Sequence, residues 1–175
     1  MGNNYGLIAV GVLALFLIVM GFRATDDEGR FTVGATSGID APKVVRTTGG
    51  TEEILIRRSM NGSFLTEARF DGTRINVLVD TGATTTVLRE SDANRVGIRP
   101  GRWAFTHSVS TANGTIMAAR DTVRDVEIGY AYFGDVGIMI LPDDKLDISL
   151  LGMNVISQFD RVEMTAEGLR LTLDR

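Results

Sequence analysis

The feature that most constrains the fold is a charged residue at the end of an apolar run. Residues 75–79 are Ile-Asn-Val-Leu-Val, and Asp80, Thr81 and Gly82 follow directly. A carboxylate that ends a buried strand carries a desolvation cost, so its position needs a reason. Residues 84–88 return to β-type composition, which places the turn inside a sheet. Asp and Gly are also common turn residues, so the tripeptide alone is equally compatible with a simple capped strand end.

Short β-type runs separated by turn signals fill the chain from Glu53 onward. Asp71-Gly72 is a tight-turn signal, and Asn113-Gly114 is the strongest two-residue hairpin signal, because type I′ turns need positive φ at both central residues. We predict short helices over residues 91–96, with Ser91 as N-cap, and over residues 154–159. The predicted strands cover residues 54–56, 64–70, 74–79, 109–112, 115–118, 122–128, 136–141, 148–151, 161–165 and 169–173. Residues 53–175 are therefore predicted to form one mostly-β domain.

The first 22 residues contain no charged side chain, and residues 5–22 are almost wholly apolar. This length is at the lower end of what crosses a hydrocarbon core of about 30 Å. We predict a retained transmembrane anchor at residues 1–22. A cleaved secretory signal is the less favoured alternative, because no Lys or Arg precedes the segment and no Ala-x-Ala site follows it. Residues 23–52 are rich in small and polar side chains, which predicts a flexible tether.

The charges beside this segment leave the membrane orientation open. Arg23 and Arg30 follow it and would place the globular part in the cytoplasm, but three acidic residues lie between them. Acids and bases are interspersed along the whole chain, whose net charge is −4, so no basic surface for nucleic acid is expected.

The scarcity of cysteine and histidine excludes several kinds of site. The chain has no cysteine, which rules out disulfides, thiolate metal sites and a cysteine nucleophile. Its single histidine, His107, rules out histidine-rich metal clusters and disfavours a Ser-His triad. We predict neither a bound metal nor a cofactor.

Three sequence elements occur together in an order that is known from one protein family. They are the strand with Asp80-Thr81-Gly82-Ala83-Thr84, the hairpin tip Thr111-Ala112-Asn113-Gly114, and Leu150-Leu151-Gly152-Met153 before a short helix. In this combination the chain resembles the retropepsin-like (clan AA) aspartic proteases, and specifically their bacterial membrane-anchored members. The resemblance implies an acid-protease barrel and cleavage of peptide bonds in protein substrates.

The resemblance also implies roles for the residues around Asp80. Asp80 would be the catalytic carboxylate, paired with Asp80 of a second copy in a symmetric homodimer. Two carboxyls about 3 Å apart share one proton, so one acts as general base on a water and the other as acid. Thr81 would bond across the dimer axis, and Gly82 would offer its amide to the carboxylate. Ala83 would complete the active-site loop.

The other two elements have implied roles in binding and support. Ala112, Asn113 and Gly114 would form the tip of a flap that closes over an extended peptide. Leu150, Leu151 and Gly152 would pack beneath the active-site loop. The resemblance further implies a single-pass protein of the inner membrane with its protease domain in the periplasm. The alternative hypothesis is a membrane-anchored β-domain that binds extended peptides without cutting them.

Overall fold

Strands make up most of the described chain, as predicted. The structure is a computed structural model that describes residues 39–46, 52–111 and 114–173. The strands are β1 (Lys43–Arg46), β2 (Glu52–Arg57), β3 (Leu65–Phe70), β4 (Thr73–Val79), β5 (Thr86–Arg89), β6 (His107–Thr111), β7 (Gly114–Ile128), β8 (Ala131–Leu141), β9 (Ser149–Leu151), β10 (Arg161–Met164) and β11 (Gly168–Thr172). Two short α-helices, α1 (Glu90–Val96) and α2 (Met153–Ile156), and a 3₁₀ turn at Arg102–Ala104 complete the described elements.

The larger sheet has seven strands in the order β3-β4-β9-β5-β8-β7-β6. An additional antiparallel pairing of β3 with β7, at Arg69 with Glu127 and Phe70 with Val126, closes six of these strands into a barrel. Two neighbouring pairs run parallel, β4 with β9 and β5 with β8. Closure leaves β6 and the start of β7 as a hairpin that extends from the barrel.

The smaller sheet is antiparallel, in the order β1-β2-β11-β10. It packs against the barrel through Ile54 and Ile56 of β2 and Leu169 and Leu171 of β11, all of which are buried in the main core. The hydroxyl of Tyr130, in the β7–β8 turn, donates a hydrogen bond to the carbonyl of Glu52 at 2.7 Å, which also ties the sheet to the barrel.

The Asp71-Gly72 turn between β3 and β4 confirms a local prediction. Both residues have positive φ, +46° and +77°, as a type I′ turn requires. The turn also pairs with β7, because the amide of Asp71 donates to the carbonyl of Asp125 at 3.1 Å. The amide of Asp125 in turn donates to Oδ1 of Asp71 at 3.0 Å. This tip of the β3–β4 hairpin therefore contributes to barrel closure.

Ser91 is not the N-cap of the first helix, contrary to prediction. Helix α1 begins at Glu90 after Arg89. The amide and hydroxyl of Ser91 both donate to Oδ1 of Asp143 at 3.0 Å. A carboxylate from the β8–β9 connection thus supplies the acceptor that a local cap would have provided.

Other predicted boundaries also differ from the structure, and β8 begins at Ala131, whereas residues 136–141 were predicted. The strands predicted at 115–118 and 122–128 are one continuous strand, β7, because Ala119, Arg120 and Asp121 keep their pairing with β8. Helix α2 covers only Met153–Ile156, whereas residues 154–159 were predicted.

The segments before the barrel are described only in part. Residues 43–46, which fall within the predicted tether, form β1 and pair with β2 from Lys43 opposite Leu55 to Arg46 opposite Glu52. Glu52, the last residue of that predicted tether, begins β2. No helix within the described ranges is long and apolar enough to span a bilayer. The predicted anchor at residues 5–22 lies outside those ranges.

Candidate functional site

Asp80 directly follows the last residue of β4, an inner strand of the larger sheet. Strand β4 is flanked by β3 and β9, and its residues Val77, Leu78 and Val79 are all buried. The backbone amide of Asp80 continues the parallel ladder by donating to the carbonyl of Leu151 at 3.0 Å. The residue itself is only 6% exposed. The apolar run therefore delivers a carboxylate to a buried position, as its sequence indicated.

The carboxylate of Asp80 is held by its own turn. Oδ1 accepts a hydrogen bond from the amide of Gly82 at 2.8 Å, and the amide of Ala83 donates to the carbonyl of Asp80 at 3.2 Å. Within the described residues, the other carboxylate oxygen, Oδ2, has no hydrogen-bond partner. Thr81, at the outside of the turn, is exposed. The turn thus fixes one oxygen of the carboxylate and presents a threonine at the surface.

The predicted second element lies directly beside this turn. Leu150 and Leu151 are buried in β9, opposite Leu78 and Val79 of β4. After β9, the amide of Met153 donates to the carbonyl of Ala83 at 2.7 Å. The chain that leaves β9 therefore supports the turn that follows Asp80.

Gly152 is required at this junction because there is no room for a side chain. A Cβ atom at this residue would lie 2.4 Å from the carbonyl carbon of Thr85 and 2.7 Å from the amide nitrogen of Thr86. The amide of Gly152 donates to Oγ1 of Thr86 at 3.1 Å. The close approach of two backbones gives this glycine a steric explanation.

Thr86 and Asn154 form a polar link that the sequence did not indicate. Oδ1 of Asn154 accepts hydrogen bonds from the amide of Thr86 at 2.8 Å and from its hydroxyl at 2.9 Å. Nδ2 of Asn154 donates to the carbonyl of Gly137 in β8 at 2.8 Å. The two residues are 68 positions apart, so only the fold brings them together. The repeated threonines at 84–86 were the available signal, but their composition indicated only a strand.

Ala83 connects the turn to the protruding hairpin. It is fully buried in an apolar cluster with Leu78 and Leu150. Val109 of β6 and Ile116 of β7 pack against the same cluster. The base of the hairpin therefore rests on the loop that carries Asp80.

The pairing of the hairpin differs from the prediction by two residues. An Asn113-Gly114 turn would place residue 112 opposite residue 115, whereas β6 and β7 pair Thr111 with Gly114 and Val109 with Ile116. Gly114 is accordingly the first residue of β7. Ala112 and Asn113, the other two residues predicted for the tip, lie outside the described residues. The predicted hairpin itself is present between residues 107 and 118.

Comparison with known families finds one model that covers just over half of the chain. The model described as gag-polyprotein putative aspartyl protease matches residues 66–158. This range begins in β3 and ends after α2, so it contains Asp80, the hairpin and Gly152.

Two curated proteins and one solved structure are similar to the chain. An uncharacterized protein from the cobV 5′ region of a Sinorhizobium species is 35% identical over 73% of this chain and 55% of its own length. An uncharacterized protein of Rickettsia prowazekii is 36% identical over 61% of this chain and 46% of its own length. The chain therefore spans about half the length of the curated relatives it matches. A crystal structure from Rickettsia conorii, described as a retropepsin-like aspartic protease, superposes with a TM-score of 0.60 at 28% identity, over 76% of this chain and 94% of that chain.

Proposed function

The chain belongs to the gag-polyprotein putative aspartyl protease family and has a retropepsin-like fold, and from this premise we propose that it is an aspartic endopeptidase. Its substrates would be peptide bonds in proteins. The observation that carries the proposal is the buried carboxylate of Asp80, which the parallel ladder and the Gly82 amide hold at the end of β4.

The proposed mechanism needs a second carboxylate, and we propose that it is Asp80 of a second copy. The chain contains one Asp-Thr-Gly tripeptide, so identical residues from two chains related by a two-fold axis supply the pair. Two facing carboxyls about 3 Å apart share one proton, because two carboxylates this close together are not both ionised. The ionised member takes a proton from a water whose oxygen attacks the scissile carbonyl carbon, and the protonated member donates to the carbonyl oxygen. The carbon–nitrogen bond then breaks as the leaving nitrogen accepts a proton from the carboxyl pair, and the two hydroxyls left on carbon become a carboxylic acid. The exposed position of Thr81, next to Asp80, supports a role for it at this axis.

The hairpin formed by β6 and the start of β7 is proposed as the flap over the substrate. Its base packs on the cluster that contains Ala83. A movement of the hairpin would therefore displace side chains that contact the loop of Asp80. An extended peptide between flap and loop would be held by backbone hydrogen bonds, with side-chain pockets giving sequence preference. Closure of the hairpin would exclude bulk water from the reacting carbonyl.

We further propose that residues 5–22 anchor the protein in the inner membrane, with the domain in the periplasm. The uncharged apolar sequence supports an anchor. Confinement to a membrane would raise the local concentration of the domain and favour pairing of two copies. Protease digestion of spheroplasts tests the orientation: loss of the domain without lysis is expected, and protection until lysis would contradict the proposal.

The catalytic proposal is tested with the full chain in detergent micelles and unfolded protein substrates over a range of acidic to neutral pH. We expect Asp80→Asn to reduce cleavage by roughly 10²–10⁴-fold or more, because the substitution removes the general base while keeping the shape of the side chain. Asp144→Asn is the matched control, since Asp144 is an exposed carboxylate paired with Lys145 at the surface. A statine-type inhibitor should abolish the activity of the parent and of this control.

Equal cleavage by Asp80→Asn and the parent would refute the catalytic assignment. A parent that binds peptides without cutting them under any of these conditions would favour the non-catalytic alternative.

A further inference from the structure

One stretch departs from the even mixture of acidic and basic residues along the chain. Residues 93–120 contain four arginines, one histidine and no acidic residue, whereas the rest of the chain has 22 acidic and 14 basic side chains. The net charge of −4 therefore divides into +4 on these 28 residues and −8 on the remainder. All four arginines are exposed. A positive region on a protein that is negative overall is a candidate site for an anionic partner.

Trp103 lies in this stretch and projects into solvent. It is 90% exposed, although it is a large aromatic residue, and the chain contains no other tryptophan. It is the central residue of the 3₁₀ turn Arg102–Ala104. An aromatic side chain can bury about 150–250 Å² when a partner covers it, so an exposed tryptophan provides a strong point of attachment.

The turn that carries Trp103 is fixed to the domain on both sides. Ile98, before it, and Phe105, after it, both pack against the main core. The turn itself is closed by the amide of Ala104, which donates to the carbonyl of Gly101 at 2.8 Å. The fold therefore holds the indole outward on a turn whose two ends are attached to the core.

The two arginines nearest to Trp103 have no acidic partner within the described residues. Arg99 and Arg102 are exposed, and neither forms an ion pair or a hydrogen bond with a described residue. Arg95 differs from them, because it donates to Oδ1 of Asp92 at 3.0 Å. The turn thus combines an exposed indole with two guanidinium groups that are available to an external anion.

We propose that residues 99–103 dock on an anionic phospholipid bilayer, with Trp103 among the headgroups and Arg99 and Arg102 bound to lipid phosphates. Tryptophan favours the membrane–water interface because its ring is apolar while its N–H group is polar. Arginine binds phosphate bidentately, and each basic residue close to an anionic bilayer strengthens the attraction about fivefold. The proposed anchor would keep the turn within reach of such a surface.

A bilayer fits this turn better than an acidic protein does. The turn offers one tryptophan and two arginines within five residues, whereas a specific protein interface buries about 800 Å² on each partner. Lipid headgroups require no such extended complementary surface, because the binding is the sum of aromatic insertion and attraction between charges.

Trp103 is its own reporter, because it is the only tryptophan in the chain. The full chain is reconstituted into lipid nanodiscs, both faces of which are open to the domain, and quenching of its fluorescence by lipids with brominated acyl chains is measured. Discs of phosphatidylcholine are compared with discs that also contain phosphatidylglycerol. We expect emission at shorter wavelength and at least about threefold stronger quenching in the anionic discs. High salt should reverse both effects, because the Debye length falls to about 3 Å at 1 M.

Removal of the two arginine charges tests their part in docking. The double variant Arg99→Gln/Arg102→Gln should dock about 25-fold more weakly, since it loses two contributions of about fivefold each. It should melt like the parent, because neither arginine binds another described residue. The matched control Arg69→Gln/Arg124→Gln removes the same charge from exposed positions on β3 and β7 and should dock within about twofold of the parent.

Three results would overturn the proposal. The first is equal quenching in neutral and anionic discs, or an equal loss of docking in the two double variants. The second is an emission shift that grows with protein concentration in neutral micelles, which would mark burial of Trp103 between protein molecules. The third is a shift produced by an acidic polypeptide and not by anionic discs, which would assign the turn to a protein partner. None of these measurements requires cleavage of a substrate, so their outcome is independent of the proposed proteolytic function.

Discussion

Replacement of Gly152 by alanine tests the packing of the two chain segments at the candidate site. The added Cβ would lie 2.4, 2.6 and 2.7 Å from the carbonyl carbon and oxygen of Thr85 and the amide nitrogen of Thr86. All three are backbone atoms, so no side chain can rotate away and one of the two segments must move. Overpacking of a well-packed core typically lowers the free energy of unfolding by about 1–3 kcal/mol. For Gly152→Ala we expect a loss at the upper end, about 3 kcal/mol.

The displaced contacts identify what else should change. Gly152 donates its amide to Oγ1 of Thr86, and Met153 donates its amide to the carbonyl of Ala83, in the turn after Asp80. A shift of a few tenths of an ångström at Gly152 therefore reaches the carboxylate loop. We expect a melting temperature about 10 °C below that of the parent and a loss of proteolytic activity at temperatures where the variant remains folded.

Gly137→Ala is the matched control for this experiment. Gly137 lies in β8, and a Cβ at this position would meet no atom within 4 Å. Its φ is not in the positive region, so alanine should leave stability unchanged or raise it by about 0.4–1 kcal/mol. The reasoning fails if the free energy of unfolding of Gly152→Ala lies within about 1 kcal/mol of that of this control. A Cβ placed 2.4 Å from a backbone atom should cost more than this.

Three further substitutions test individual contacts by urea denaturation. Asn154→Ala removes the acceptor of the buried amide and hydroxyl of Thr86 and should cost about 2–3 kcal/mol. Asp143→Ala removes the remote acceptor at the start of α1 and should cost about 1 kcal/mol. Gly72→Ala should cost about 1–2 kcal/mol from backbone conformation alone, because φ is +77° and the space around it is open.

Each of these variants has a control that lacks the feature in question. Gln158→Ala removes an exposed amide near Asn154, and Asp144→Ala removes the exposed carboxylate next to Asp143. Gly101→Ala is made in equally open space but at ordinary φ. Equal losses in a variant and its control would show that the named hydrogen bond or backbone angle is not the cause.

Features encoded by neighbouring residues could be predicted from the sequence. Asp71-Gly72 specifies its turn through its own backbone preferences, and the apolar run before Asp80 specifies a buried strand that ends in a carboxylate. The continuous strand β7 could not be predicted in the same way. Arg120 and Asp121 are exposed charged residues that favour a break, but their backbone hydrogen bonds to β8 continue through them.

Features that depend on contacts between distant residues were missed for one physical reason. The acceptor at the start of α1 is Asp143, 52 residues from Ser91, and the link from Asn154 to Thr86 spans 68 residues. Strand β1 lies in a stretch whose small and polar residues predict a flexible tether. It is nevertheless a strand, because its backbone pairs with that of β2. No local pattern carries this information, because it arises only when separate parts of the chain meet.

The parallel pairing of β4 with β9 has a consequence for when the loop that carries Asp80 can form during synthesis of the chain. The amide of Asp80 is bound by the carbonyl of Leu151, so the carboxylate loop is completed by a segment made long after it. Closing so long a loop costs chain entropy, and contacts of this range form late in folding. A nascent chain that ends before β9 therefore contains Asp80 without its support. The order of synthesis itself delays assembly of this loop until nearly the whole domain exists.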